Sequence, residues 1–380
     1  MKKILSAILA IAMMFSLVGC GGSDDEETTT ESSTDIKVAM ISDYGDITDQ
    51  SFNQTTYEAC KAWAEKNGVD FTYYKPTADS DDDRIQMVDK AVDEGYNVIV
   101  MPGYAFAAAL DYGCQEYEDV TFVALDVSEG DVTGADADFD YANAANFYSA
   151  VYQEEIPGYM AGYAAVMMGY TDLGFLGGMA VPAVIRYGYG FVQGADAAAA
   201  ELDIDVNIKY VYGNQFYGDA DITAAMDTWY SQGTQVVFAC GGGIYTSACE
   251  AAAKVEGGKV IGVDVDQNGL ISANYGDDTM CITSAMKGLA NTVTTMLDAI
   301  LAGNFSEYAG KIDNLGMVSA DPADNYVALA ESTQWCDTFT EDDYAALNEA
   351  IFNGDVTISN DTTTEPTVTN ATVDYQGNIK

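Results

Sequence analysis

The feature that most restricts what this 380-residue chain can fold into is an internal repeat of short apolar runs. Residues 97–100 (NVIV) and 235–238 (QVVF) stand about 138 positions apart, and so do residues 122–126 (FVALD) and 260–264 (VIGVD). Each run sits among others of its kind. In the first half, strand-like segments at 37–42, 71–76, 97–101 and 121–125 alternate with helical periodicity at 52–67, 81–94 and from about 105, with Gly68 and Gly95 as stops. In the second half, strands at 173–177, 206–211, 235–240 and 259–263 alternate with helices at 182–202, 223–232 and 246–255. Apolar strands alternating with helices predict a parallel sheet covered on both faces. The repeat therefore predicts an α/β protein of two doubly wound lobes with a hinged cleft between them.

Ligands of such sheets bind beyond the carboxyl ends of the strands, so the loops after Ser42, Met101, Leu125, Gly177, Cys240 and Val263 are expected to face the cleft. Asp126 and Asp264 close equivalent strands of the two halves. A carboxylate is costly inside a strand, but at a strand end opening into a cleft it accepts hydrogen bonds from hydroxyls. Asp43 follows the first strand in the same way, and Phe52 and Asn53 open the helix after it, with Ser51 as its expected N-cap. The Gly241-Gly242-Gly243 run allows close backbone approach to a ligand. Lys287 lies in a mostly apolar stretch, residues 282–289, where a solvated lysine is out of place. Three apparent motifs fail on spacing. The glycine run lacks the phosphate-loop pattern, Gly188 and Gly190 do not fit a dinucleotide fingerprint, and Asp79, Asp81 and Asp83 are followed by Arg84 where a calcium loop needs glycine.

Composition excludes several chemistries. The chain has no histidine, which removes Ser-His-Asp and Cys-His nucleophiles and the usual zinc sites. Its two arginines, Arg84 and Arg186, are too few for a multi-arginine phosphate clamp. With 15 basic against 60 acidic residues, nucleic acid and anionic lipid surfaces are poor partners. An enzyme would need a metal site or a poised acid–base pair; Asp264 and Asp266 are the nearest candidates, with no histidine beside them. No catalytic residue, metal or cofactor is expected. Cys60, Cys114, Cys240, Cys249, Cys281 and Cys336 lack metal or redox spacing and read as small hydrophobes rather than disulfide partners.

The ends are distinct. Lys2, Lys3 and the apolar run 4–17 form a signal segment too short for a comfortable membrane span. The sequence Leu17-Val18-Gly19-Cys20 resembles a bacterial lipobox, which makes Cys20 the lipidated residue and 1–19 the signal peptide. Residues 20–36 are then an acidic, disordered tether holding the protein to the outer face of the cell membrane by lipid alone. The expected first lobe comprises 37–145 and about 266–305, and the second 146–265 and about 306–354. Residues 355–380 form a Thr/Asn-rich segment in which Val356, Ile358, Val368 and Val373 suit edge strands.

Five stretches, residues 42–63, 155–164, 174–194, 262–267 and 283–287, resemble the basic membrane protein family of lipoproteins, purine nucleoside receptor A type, in the family's order from about Lys37 to Asp321. The elements Ser-Phe-Asn-Gln (51–54) and Gly-Val-Asp-Val-Asp-Gln (262–267) carry the likeness together. The resemblance implies a type I periplasmic-binding fold and capture of a nucleoside for the permease subunits of an ABC importer. It assigns ligand contacts to Asp43, Phe52, Asn53, Asp126, Gly242, Asp264 and Lys287, and a second aromatic stacker to Phe216, with Tyr217 as the alternative in that loop. Gln50 stands where relatives tend to carry lysine, and residues 212–221 follow the family pattern loosely. The remaining alternative is a receptor for a sugar or other small polar solute.

Overall fold

The computed structural model describes residues 36–380; the signal segment, Cys20 and the tether to residue 35 lie outside the described residues. The first lobe runs β1 (Lys37–Ile41), α1 (Phe52–Asn67), β2 (Asp70–Tyr74), α2 (Asp81–Asp93), β3 (Val98–Pro102), α3 (Ala107–Glu116), β4 (Thr121–Leu125), α4 (Glu129–Ala135) and β5 (Phe147–Tyr152). The second runs α5 (Glu155–Met167), β6 (Asp172–Gly177), α6 (Pro182–Leu202), β7 (Val206–Tyr212), α7 (Ala220–Ser231), β8 (Val236–Cys240), α8 (Tyr245–Ala252), β9 (Lys259–Asp264), α9 (Asn268–Tyr275) and β10 (Cys281–Lys287). The chain returns to the first lobe with α10 (Leu289–Leu301) and β11 (Lys311–Leu315), then finishes in the second with β12 (Val327–Leu329), α11 (Glu341–Phe352) and β13 (Ala371–Asn378).

The strand orders are β11-β5-β4-β3-β1-β2 and β12-β10-β9-β8-β6-β7-β13. All pairings are parallel except β12 with β10. Five strands of each sheet follow one order, second-first-third-fourth-fifth, so the sequence repeat is a repeat of topology. The central strands β3 and β8 are buried throughout, which is why they read as unbroken apolar runs.

Sheet membership corrects the expected lobe boundaries. β5 pairs with β4 and β11 with β5, so residues 147–152 and 311–315 belong to the first sheet. β10 pairs with β9 and lies in the second. The chain changes lobes after the fifth strand of each sheet, between Tyr152 and Glu155 and between Lys287 and Leu289, and again between Leu315 and Val327. Strand partnership is a non-local property, and the helical or apolar character of a segment does not encode it. In the 355–380 segment, Val373 lies in β13, an edge strand beside β7; Val356, Ile358 and Val368 pack on the core without forming strands.

Helices α5 and α6 meet backbone to backbone. A β-carbon on Gly158 or Gly162 would collide with the carbonyls of Tyr187 and Phe191, and one on Gly190 or Gly194 with those of Glu155 and Tyr159. Gly190 is thus a packing residue, and this close contact holds the middle of α6 against the first turns of α5, just after the lobe crossing. The six cysteines among the described residues are free, five of them buried and Cys336 half-buried. Arg84 pairs with Asp79 and Asp81 at the start of α2, while Ser80 caps that helix. Among the described residues no helix is long and apolar enough to cross a membrane.

Candidate ligand-binding cleft

A cavity of about 540 Å³ opens where the carboxyl ends of the two sheets face each other. That volume suits a small organic ligand, for which clefts of roughly 300–1,000 Å³ are usual. Asp43, Phe52, Asn53, Asp126, Phe216, Gly242, Asp264 and Lys287 all line it, as does Tyr217. The two strand-end aspartates share an unusual backbone conformation, with φ of 63° at Asp126 and 64° at Asp264. The left-handed region disfavours most side chains but tolerates aspartate. Its recurrence at the ends of β4 and β9 turns both carboxylates into the cleft.

Lys287, the last residue of β10, is buried at the centre of this site. Its Nζ lies 2.6 Å from Asp126 Oδ2 and 2.9 Å from Glu154 Oε1. The ring centres of Tyr152, Phe52 and Tyr187 surround it at 5.0, 5.2 and 5.9 Å. Glu154, fully buried at the first lobe crossing, also accepts from Arg186 Nε at 2.6 Å. Burial works against the charge on Lys287, yet the carboxylates of Asp126, Glu154 and Asp264 outweigh it and hold the ammonium above its ordinary value. For Glu154, burial is overcome by Lys287 and Arg186, and the carboxyl falls below the usual range. Asp126 is pushed up to about 6 by burial, with Lys287 opposing and Glu154 adding to the rise. Burial also raises Asp264, partly offset by Lys287 and the Ser51 hydroxyl.

Several contacts cross between lobes. Ser51 Oγ donates to Asp264 Oδ2 at 2.7 Å, and Gln267 Nε2 donates to the Gln50 carbonyl at 3.1 Å. The expected N-cap role of Ser51 is therefore corrected: its hydroxyl makes no cap hydrogen bond. Asp49 satisfies the start of α1 instead, its carboxylate accepting from the backbone N–H groups of Ser51, Asn53 and Gln54 at 2.9–3.0 Å. Asp43 Oδ1 accepts from the amides of Tyr44 and Gly45 at 2.6 and 2.7 Å, while burial raises its carboxyl.

The glycine run serves the aromatic loop. A β-carbon on Gly178 or Gly241 would meet the Phe216 ring, and Gly243 N donates to the Phe216 carbonyl at 2.8 Å. Gly241 and Gly242 have φ of 142° and 51°, which favour glycine independently of space. Three acceptors bordering the cavity matter for what enters it. Asp126 Oδ1 and Asn53 Oδ1 are buried without a hydrogen-bond partner, and Asp264 Oδ1 has only a 3.5 Å contact from Tyr187 OH.

A family model described as "ABC transporter substrate-binding protein PnrA-like" matches residues 36–321. The chain belongs to this family. It is an ABC-type solute-binding protein, not an enzyme. The solute-binding protein is 28% identical over 322 residues to the "ABC transporter nucleoside-binding protein BmpA" of Lactococcus lactis, covering 80% of this chain and 87% of that relative. Among solved structures, solute-binding proteins of ABC systems from Aeropyrum pernix and Conexibacter woesei both superpose with a TM-score of 0.63, at 20% and 23% identity. They cover 86% of this chain and 88% and 99% of theirs, and they share its two-lobed type I fold.

Two residues of the ion-pair network in this solute-binding protein are not among the site candidates of the sequence: Arg186, which lines the cavity, and Glu154, which is fully buried against Lys287 and Arg186. Glu154 stands just before the 155–164 stretch that carries the family resemblance, and the two arginines, Arg84 and Arg186, are too few for a clamp. The signal available for Arg186 was rarity: in a chain with two arginines, one lies a single turn into a helix that begins just beyond a predicted cleft strand.

Proposed function

We propose that the protein captures a nucleoside, with a purine base, between its lobes and delivers it to the permease subunits of an ABC importer. The observation that carries this reading is the pairing, in one cleft, of aromatic rings from both lobes with buried carboxylate and amide oxygens that lack donors. Phe52 and Phe216 supply apolar faces for a planar base. Asp264 Oδ1 and Asp126 Oδ1 supply acceptors for sugar hydroxyls or base N–H groups, and Asp43 and Asn53 flank the base end. Lys287 holds Asp126 in place and keeps it ionised. The nucleoside bound by the Lactococcus relative's name supports the same ligand class. Contacts already linking the lobes, such as Ser51 to Asp264, are those that ligand-driven closure would strengthen. The test is titration calorimetry with purine and pyrimidine nucleosides, their free bases and simple sugars. One-site binding confined to nucleosides and bases is the expected result, and binding of sugars alone overturns the reading.

The same proposal places the protein on the outer face of the cell membrane through lipid on Cys20. Cys20→Ala is expected to move the protein from the membrane fraction to the soluble fraction. A mutant that still sediments with membranes after a salt wash contradicts that anchor.

A further inference from the structure

We infer that β13 and Lys380 form a buttress that positions the aromatic loop at residues 213–218, making Lys380 a positioning residue for ligand capture. The family match ends at residue 321, so this segment is additional to the matched frame. Its path is well anchored. Gln193 of α6 exchanges two hydrogen bonds with Ser359, at 2.8 and 3.0 Å, and Asp196 Oδ1 accepts from the amides of Thr369, Asn370 and Ala371 at 2.7–2.8 Å. β13 then pairs with β7 from Ala371 opposite Val206 to Asn378 opposite Tyr212, and Ile379 N donates to the Tyr212 carbonyl. This register delivers Lys380 to the root of the loop that leaves β7.

The inner side of that loop is held by its own lobe, through Gly213 N to Gly177 O, Asn214 N to Gly178 O and Gly243 N to Phe216 O. The outer side depends on a polar clasp. Gln215 Nε2 donates to Tyr217 O at 2.8 Å and to Asp219 Oδ2 at 2.9 Å, while Gln215 Oε1 accepts from Lys380 Nζ at 3.1 Å. Lys380 also pairs with Asp219, whose other oxygen caps α7 through the amides of Asp221 and Ile222. An amide is chemically two-ended, and an ammonium can only donate. Lys380 donates to the Gln215 oxygen while Tyr217 O and Asp219 accept from its nitrogen, so all three partners select one amide orientation. Without the ammonium, Gln215 Oε1 and Asp219 lose the donor they share and the outer tie weakens. Phe216 and the exposed Tyr217 enter the cleft from between these two ties.

The inference rests on the proposed ligand capture, so its test has one readout that needs no ligand. Hydrogen exchange of full-length wild type, Lys380→Ala and Lys380→Arg is followed at residues 214–218 and in β6 and β8, and inosine affinity is measured by calorimetry. Lys380→Ala is expected to speed exchange at 214–218 while leaving β6 and β8 unchanged, and to weaken inosine about threefold to fivefold, the scale of an exposed ion pair. Lys380→Arg is expected to restore most of both. Unchanged exchange in Lys380→Ala overturns the clasp, and faster exchange with unchanged inosine affinity overturns its link to capture. If the wild type binds no nucleoside, the functional proposal fails while the exchange data still decide the clasp.

Discussion

Lys287→Met is expected to lower the melting temperature by about 10 °C near neutral pH, because it strands the buried carboxylates of Asp126 and Glu154. Removing one partner of a buried ion pair costs about 3–5 kcal/mol, and each kcal/mol is about 2–4 °C for domains of this size. The pH dependence identifies the cause. In the wild type Glu154 sits below its ordinary value, so its contribution is present at neutral pH and is lost as pH falls through the folded value. Asp126 already stands at about 6, and losing Lys287 drives it higher. A carboxyl raised in the folded state favours folding most at low pH, and that advantage fades as pH rises through its folded value. The deficit of Lys287→Met is therefore widest above pH 7 and narrows towards pH 5. Thermal melts across that range check it, and a deficit independent of pH contradicts the buried-charge account. Adding Asp126→Asn to Lys287→Met is expected to recover part of the loss, since the two changes touch one network.

The second large effect concerns ligand discrimination. Asp264→Asn keeps a residue type that tolerates the left-handed backbone, with φ of 64°, and removes the charge. Charge-assisted hydrogen bonds contribute about 1.5–3 kcal/mol, so nucleoside binding is expected to weaken on the order of tenfold to a hundredfold. A free base, which has no ribose to lose, is expected to bind nearly as before. Phe52→Ala removes the ring proposed to stack on either ligand, worth about 1–3 kcal/mol per base, and is expected to weaken both. Calorimetry of the two variants with a nucleoside and its base separates these patterns. Equal losses for both ligands in Asp264→Asn, or none for either, contradict the assignment of that carboxylate to the sugar.

The fold was legible because both sheets bury their middle strands completely, leaving apolar runs such as 122–125 and 260–263 with a carboxylate at the same place in each. The lining of the candidate cleft was legible to the same extent, since strand ends in such sheets point to one place. What escaped depended on partners distant in sequence. Ser51 has the local setting of an N-cap, but Asp264, 213 residues away, takes its hydroxyl, and Asp49 takes over the cap. Glu154 lies two residues beyond the first sheet's fifth strand and Lys287 ends the second sheet's, yet only the crossing of the chain brings them together. Gly190 and Gly194 serve close helix packing and Gly188 the approach of Tyr210 and Phe175, requirements that have no fixed spacing to a ligand. Thr283, Ser284 and Lys287 interrupt the apolar stretch that forms β10, and all three are buried among partners from other elements.

The most direct test of the central claim is a calorimetric titration of the unmodified protein, freed of bound ligand, with inosine, guanosine, adenosine, cytidine, hypoxanthine, D-ribose and D-glucose. The account predicts saturable one-to-one binding of the purine nucleosides, weaker binding of hypoxanthine and no heat from either sugar. Saturable binding of a sugar with none from any nucleoside contradicts it.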